Sequence, residues 1–418
     1  MDIVNDTEAP PPSGGSTGDF FAVDRRAWAY VCRLGMNPAV AYLVLARGTG
    51  GDNRTTKWSV NAIERRTSIS RSRAAKAIAD LEQAKVVIRD PASRSDRPKY
   101  KITPAHEIPG CEGFPPAALD AGEREMMKRI SSGVSSFSGM HTPERSFGNR
   151  CPSTVLRSLA AKGWAQVVGH DTYKFAPYDA EAAAKPDWIW LPNALVDGAG
   201  AETAPVELVR LTGSAPTLRL LVDLYGAQNL DEDGGIHFRH IRQEYERLKV
   251  GERGPYVVWG FVPRKFRGRP DAPFIAPHLA GKEDEEGWKG FWACWDRLYG
   301  LGLVELVDHL VHANTAEGEV IHPMAFDGTG LEVEREVARA AERAALTMIT
   351  QGQHDWAAKQ GVATLAPVLR HIEGVQMFGI ARLRYRPRTS RTLAFAAREA
   401  EWRELAVRMA AIVQGAAA

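Results

Sequence analysis

Cysteine is scarce in this 418-residue chain. Cys32, Cys111, Cys151 and Cys294 stand far apart, and no two form a C-x-x-C pair. That argues against a disulfide framework and a zinc knuckle, and makes a reducing cytoplasm the expected compartment. Long apolar runs are missing too: no stretch of eighteen apolar residues occurs, so no membrane span and no membrane partner are expected. The first residues carry acids and then "TEAPPPSGGSTG", without the basic start or apolar core of a signal peptide. Residues 1–18 read as a disordered tail. No G-x-x-x-x-G-K-[ST] is present, which excludes a P-loop ATPase or helicase core. Nor does the chain contain two His flanking one apolar residue, the pattern that relaxase-type nucleases need.

The metal-ligand signals are equally thin. "NLDEDGG" starts like a calcium loop, but His240 stands at its twelfth position where a bidentate Glu is required. His237 with His240, and His309 with His312, are H-x-x-H pairs that a strand would aim at opposite faces. The sequence therefore predicts no metal, no cofactor and no catalysis.

What is present is a local basic excess inside a balanced total. Hydrophobic residues make up 44% and charged residues 25%, the mix of a globular protein with a real core, and the formal net charge is only +2. Between Asp52 and Lys101, however, thirteen Lys or Arg face six Asp or Glu. In the same region "NPAVAYLVLARG" predicts a helix with Asn37 as cap and Pro38 at its first position. "TTKWS" predicts a strand and "SVNAIERR" a second helix. After the turn Thr67-Ser68-Ile69, Ser70 opens a third helix from Arg71 to about Ala84, with Ala74, Ile78 and Leu81 as its buried stripe. "VVIRD" and "KYKIT" follow as two strands joined by the basic loop "PASRSDRP".

Helix, strand, helix, turn, helix and hairpin, over residues 24–105, resemble a winged helix-turn-helix. The resemblance implies that the third helix enters the major groove of double-stranded DNA while the wing touches the adjacent backbone. Carried over position by position, the reading face is Ser70, Arg71, Ser72, Arg73 and Lys76, and the wing offers Arg94 and Arg97. A solvated basic face used for protein contacts is the competing reading.

The junction at the end of the third helix recurs. Leu81, Leu159 and Leu298 each stand five residues before an apolar strand, with Lys85, Gly163 and Gly302 at the position that favours a left-handed residue. Hence the expected fold is α+β and mostly helical. It comprises two to three tandem winged-helix units, at 19–108, 115–180 and 186–328, the last with a basic insertion at 250–286, and a helical region at 330–418. In the second unit a DNA-reading and a purely structural role are even. In the third, "WKGFWACWDRLY" reads as a buried aromatic stripe and "RHIRQEYERL" as a helix.

Two further basic segments are candidate phosphate contacts. Arg264, Lys265, Arg267 and Arg269 lie in the insertion. In "ARLRYRPRTSR", an extended strand would put Arg382, Arg384 and Arg386 on one side, followed by Arg388 and Arg391 near a helix start, where cations are disfavoured without an anionic partner. Tandem winged helices are similar to those of plasmid-type replication initiators. This implies a sequence-specific duplex-DNA-binding protein of a bacterial plasmid, prophage or integrated element, initiator or transcription regulator, with replication, transcription or assembly proteins as further partners. The alternative is a non-catalytic subunit of a larger assembly that uses winged helices for protein contacts.

Overall fold

The computed structural model describes residues 19–109 (except 92 and 95–97), 111, 166–169, 172–174, 185–229 (except 201), 235–236, 241–267, 285–312, 319–386 (except 327) and 390–417. These fall into two compact units, one of residues 19–226 and 285–301 and the other of 227–267 and 302–417. Both mix helices with antiparallel sheet, so the chain is α+β.

The first unit runs through β1 (Phe20–Asp24), α1 (Arg25–Val31) and α2 (Met36–Arg47), then β2 (Thr55–Thr56), α3 (Val60–Thr67) and α4 (Arg71–Gln83). Strands β3 (Val87–Arg89) and β4 (Tyr100–Ile102) follow. Helix α2 is apolar on every side, and all residues from Pro38 to Ala46 are buried, as such a helix must be. It begins at Met36 after Gly35, so Asn37 is inside the first turn rather than its cap. Against α2 pack α3 and α4, the latter through Ala74, Ala77, Ile78 and Leu81. Strands β2, β4 and β3 form a three-stranded sheet in the order β2-β4-β3, with Ile88 and Thr55 both facing Lys101 across it.

The end of α4 closes as the sequence implies. Val86 N–H donates to the Leu81 carbonyl and Lys85 N–H to that of Glu82, with Lys85 at φ 60°. Gly302 occupies the matching junction at φ 67°, where glycine costs nothing and lysine is strained. Gly163 lies outside the described residues.

The unit continues with the hairpin β5 (Gln166–Gly169) and β6 (Thr172–Lys174), then β7 (Trp188–Pro192), α5 (Ala194–Asp197), α6 (Pro205–Leu211), α7 (Ala215–Tyr225) and α8 (Glu285–Gly300). The hairpin is where the sequence puts it, but the rest of the second expected module, with Arg150, Ser153, Thr154, Arg157 and Lys162, lies outside the described residues. β1 pairs with β7 from Phe20↔Pro192 to Asp24↔Trp188. The expected boundary between 19–108 and a separate module starting at 186 is therefore corrected: a backbone ladder joins the two segments.

The second unit contains β8 (Gln228–Asn229), β9 (Gly235–Ile236), β10 (Arg242–Arg253), β11 (Tyr256–Arg267), β12 (Val304–His312) and β13 (Glu319–Pro323). Helices α9 (Glu332–Met348) and α10 (Gln351–Lys359), strands β14 (Thr364–Leu369) and β15 (Val375–Leu383), and helix α11 (Ser390–Ala417) complete it. Its strands make one eight-stranded antiparallel sheet, ordered β13-β12-β15-β10-β11-β14, with β9 on β15 and β8 on β9. Helix α9 packs on this sheet through Ala338 and Ala341, which meet Phe261, Leu310, Ala366 and Met377.

Four expectations for 186–418 are corrected here. "RHIRQEYERL" is not a helix, since its described part leads into β10, and residues 256–267 of the basic insertion form β11. Residues in the two strands pair from Gln243↔Arg267 to Arg253↔Tyr256 across a Gly254-Pro255 turn, a long ladder that overrides local helix preference. The third winged-helix unit does not form either: α8 packs on α7 in the first unit, whereas the hairpin β12–β13 belongs to the second unit's sheet. Finally, the boundary at 328–330 runs through that sheet, because β15 pairs with β12 over nine residues from Val304↔Leu383 to His312↔Val375.

In the aromatic stripe of α8, Phe291 and Trp295 are core as expected, while Tyr299 is 45% exposed. Replacing the strained left-handed residue in Lys85→Gly should stabilise the first unit by about 1 kcal/mol in chemical denaturation.

Candidate nucleic-acid interface

Helix α4 exposes Arg71, Ser72, Arg73, Ala75, Lys76 and Ala79, a basic face whose middle is trimmed to alanine. Its opposite side holds the helix against α2 and α3. The approach from α3 is a tight turn: Ser68 is left-handed at φ 49°, Ile69 is buried as an anchor, and Ser70 precedes the first turn with no side-chain cap bond. No acid occupies that turn, and it carries Arg71 and Arg73 instead. Cations beside the positive end of a helix repel its unpaired N–H groups, so the arrangement is unfavourable until an anion arrives.

The side chains on this face are weakly committed. Arg71 donates to Asn61 Oδ1 and stands 3.9 Å from Glu64, both on α3. Lys76 pairs with Asp80 at 2.9 Å, four residues on. Exposed pairs of this kind are worth about 0–1 kcal/mol, so a phosphate can displace them. Arg73 makes no hydrogen bond or ion pair among the described residues. Arg94 is exposed between β3 and β4, and Arg97 lies outside the described residues. Arg89 and Lys101, which the sequence reasoning missed, add two exposed cations on the hairpin strands. Alternation marks Lys101, which stands between buried Tyr100 and Ile102, but not Arg89, which faces Tyr100 and is exposed at the end of β3.

A rigid mount holds α3. The Arg66 guanidinium lies 3.7 Å from the centre of the Trp58 ring and donates to Asp197 at 2.8 Å. Arg47 at the end of α2 reaches the same carboxylate at 2.8 Å. One aspartate on α5 thus ties α2 and α3 together, and the stacked geometry gives the planar guanidinium two partners at once.

In the second unit the register gathers cations that are far apart in sequence. Gln243 faces Arg267 and Arg242 faces Ile380, so the end of β11, the start of β10 and the end of β15 meet at one end of the sheet. Arg264 and Lys265 lie near that end in β11, and Arg384 and Arg386 just beyond β15; Arg264 and Arg384 are exposed. Arg391 is in the first turn of α11. Arg269 and Arg388 lie outside the described residues.

Arg382 is the exception, and its expected role as a surface phosphate contact is corrected. It is 0% exposed. Its Nη1 donates to both carboxylate oxygens of Glu334, at 2.6 and 2.7 Å, and its Nη2 to His309 Nε2 at 2.9 Å. Arg382 sits in an inner strand with α9 closing over it, so the alternation seen in sequence turned it inward. Glu334 also accepts the Leu331 N–H and so caps α9 from within. His309 donates from Nδ1 to the Val307 carbonyl, and burial first, then the Arg382 charge, hold the imidazole neutral. Next to it, Asp308 accepts from Tyr245 Oη at 2.7 Å, and burial pushes its carboxyl up to about 7. Gly379 lies opposite Asp308, where a Cβ would stand 2.9 Å from the carboxylate.

Among the described residues no group of His, Cys, Asp and Glu could hold a metal ion, and no helix is long and apolar enough to cross a membrane. Compared with known protein families, characterised proteins and solved structures, the chain matches none.

Removing one partner of the buried pair, in Arg382→Ala, should destabilise the second unit by about 3–5 kcal/mol in denaturant titration of the full chain, since Glu334 is left buried and charged. A raised carboxyl binds its proton more tightly folded than unfolded, so Asp308 costs stability as pH climbs from its unfolded value near 4 to about 7. Wild type should therefore lose stability relative to Asp308→Asn over that range, by at most about 1.4 kcal/mol per pH unit. The buried His309 and His322 pull the opposite way below about 6.5, but they are common to both proteins and cancel in the difference.

Proposed function

We propose that this chain is a sequence-specific double-stranded DNA-binding protein of a bacterial plasmid, prophage or integrated element, and that residues 24–105 form a winged helix-turn-helix. The observation that carries this reading is α4: an outward face of Ser70, Arg71, Ser72, Arg73 and Lys76, trimmed by alanines, with cations placed against the helix dipole. A helix of this kind fits the width of the major groove. Arg71 and Arg73 are the candidates for base edges, and Arg89, Arg94, Arg97 and Lys101 for the flanking phosphates. The cations at the end of the second unit's sheet, with Arg269, Arg386, Arg388 and Arg391, supply a sequence-independent phosphate surface.

Of the two roles weighed from sequence, transcription regulator now has more support than replication initiator. The initiator reading leaned on several modules of one kind, and the second unit has a different architecture. One reading module coupled to an unlike unit suits a regulator. The competing class, an assembly subunit whose basic faces bind acidic partners, predicts no preference among duplexes.

Duplex binding across a salt series separates these readings. Wild type should show a linear fall of log affinity with log salt, and Arg71→Ala/Arg73→Ala should bind its selected site at least about tenfold more weakly while tolerating other sequences equally. An unchanged double variant, or affinity indifferent to salt, would sink the proposal.

A further inference from the structure

Along α11, Arg398, Trp402, Leu405, Met409 and Ile412 recur at spacings of four, three, four and three, one stripe of a helix. Together with Val320 and Ile321 of β13, and Val368 and Leu369 of β14, this stripe lines a cavity of about 940 Å³. Trp402 is buried in a core cluster with Val333 and Val337 of α9, Leu405 packs against that cluster and Ile412 against a second one, around Val258 and Leu365. Leu405, Met409 and Ile412 stay half-buried. The volume is at the upper end of small-molecule sites, which span roughly 300–1,000 Å³, and the lining mixes apolar with polar side chains.

Two polar groups in the wall lack partners among the described residues. Arg398 is half-buried and forms no ion pair or hydrogen bond there. His322 is 1% exposed, donates from Nδ1 to the Pro323 carbonyl at 3.0 Å, and leaves Nε2 without a hydrogen bond. A bare imidazole nitrogen of this tautomer is an acceptor, and a guanidinium held partly out of water favours an anion. Glu319, Glu401 and Arg408 also line the cavity, but all three are exposed, where water screens their charge.

We propose that this cavity binds a small amphipathic organic acid, its carboxylate on Arg398 and its apolar body along Leu405, Met409 and Ile412, with room at His322 for a hydroxyl or amide donor. The site shares α11 with Arg391 of the proposed phosphate surface, but the inference goes beyond DNA binding and its test does not involve DNA. In calorimetric titration of the full chain, decanoate should bind saturably with one molecule per chain, and decanol about tenfold more weakly. Arg398→Gln should erase that difference, and Leu405→Trp should abolish binding of both. Met409→Trp, as a second filling variant, serves if Leu405→Trp fails to fold. The proposal is overturned if decanoate gives no saturable heat, if acid and alcohol bind alike to wild type, or if a folded filling variant binds as wild type does.

Discussion

A guanidinium sealed from water has to be matched where it lies, and the second unit is organised around that requirement. Arg382 on an inner strand meets Glu334 on α9 and His309 on the neighbouring strand, all three essentially without exposure. Each partner has a second duty. Glu334 caps its own helix, and His309 is fixed in one tautomer by the Val307 carbonyl. Neutralising or removing any one of them leaves the others buried and unmatched, which is why the cluster behaves as a unit. By fixing the start of α9 it also positions Val333 and Val337, on which Trp402 of α11 rests. The cavity wall is downstream of that contact.

The first unit solves a different problem, which is to present a helix without burying its outer face. Helix α4 needs only Ala74, Ala77, Ile78 and Leu81 to dock, so two small residues and two aliphatic ones leave the rest of its surface free. Its orientation depends on α3, and α3 depends on the Arg66–Trp58 stack and on Asp197. That carboxylate comes from a four-residue helix more than a hundred residues away. Segments after residue 185 are thus part of the scaffold for α4, through this contact and through the β1–β7 ladder.

Local chemistry was legible in the sequence wherever neighbours in the chain are neighbours in space. The α3 and α4 boundaries, the turn at Ser68, the strands at 87–89 and 100–102 and the left-handed residue at Lys85 all follow from apolar period and cap preference. Legibility failed where pairing is distant. Residues 242–253 carry charges at helical spacings, yet they are a strand because Tyr256–Arg267 and β15 offer ladders on both sides. "YVVWGFV" after Gly254-Pro255 was the available sign, being rich in β-branched and aromatic residues behind a turn. The junction motif at Leu298 misled for a related reason. It records how a helix stops and a strand starts, which any helix-to-strand join must do, and says nothing about which sheet receives the strand.

Arginine makes the same point most sharply. Arg73, Arg66 and Arg382 are indistinguishable by composition, and each sits in a basic stretch of sequence. One stands in solvent at the start of a helix, one is clamped between an indole and a carboxylate, and one is enclosed with a glutamate. Only the first can offer its charge to an incoming phosphate without dismantling something else. The alternation that would send Arg382 and Arg384 the same way holds only while the strand lasts, and β15 ends at Leu383. A basic run therefore measures how much positive charge a segment carries. How much of it is available depends on the sheet order and the helix that closes over it.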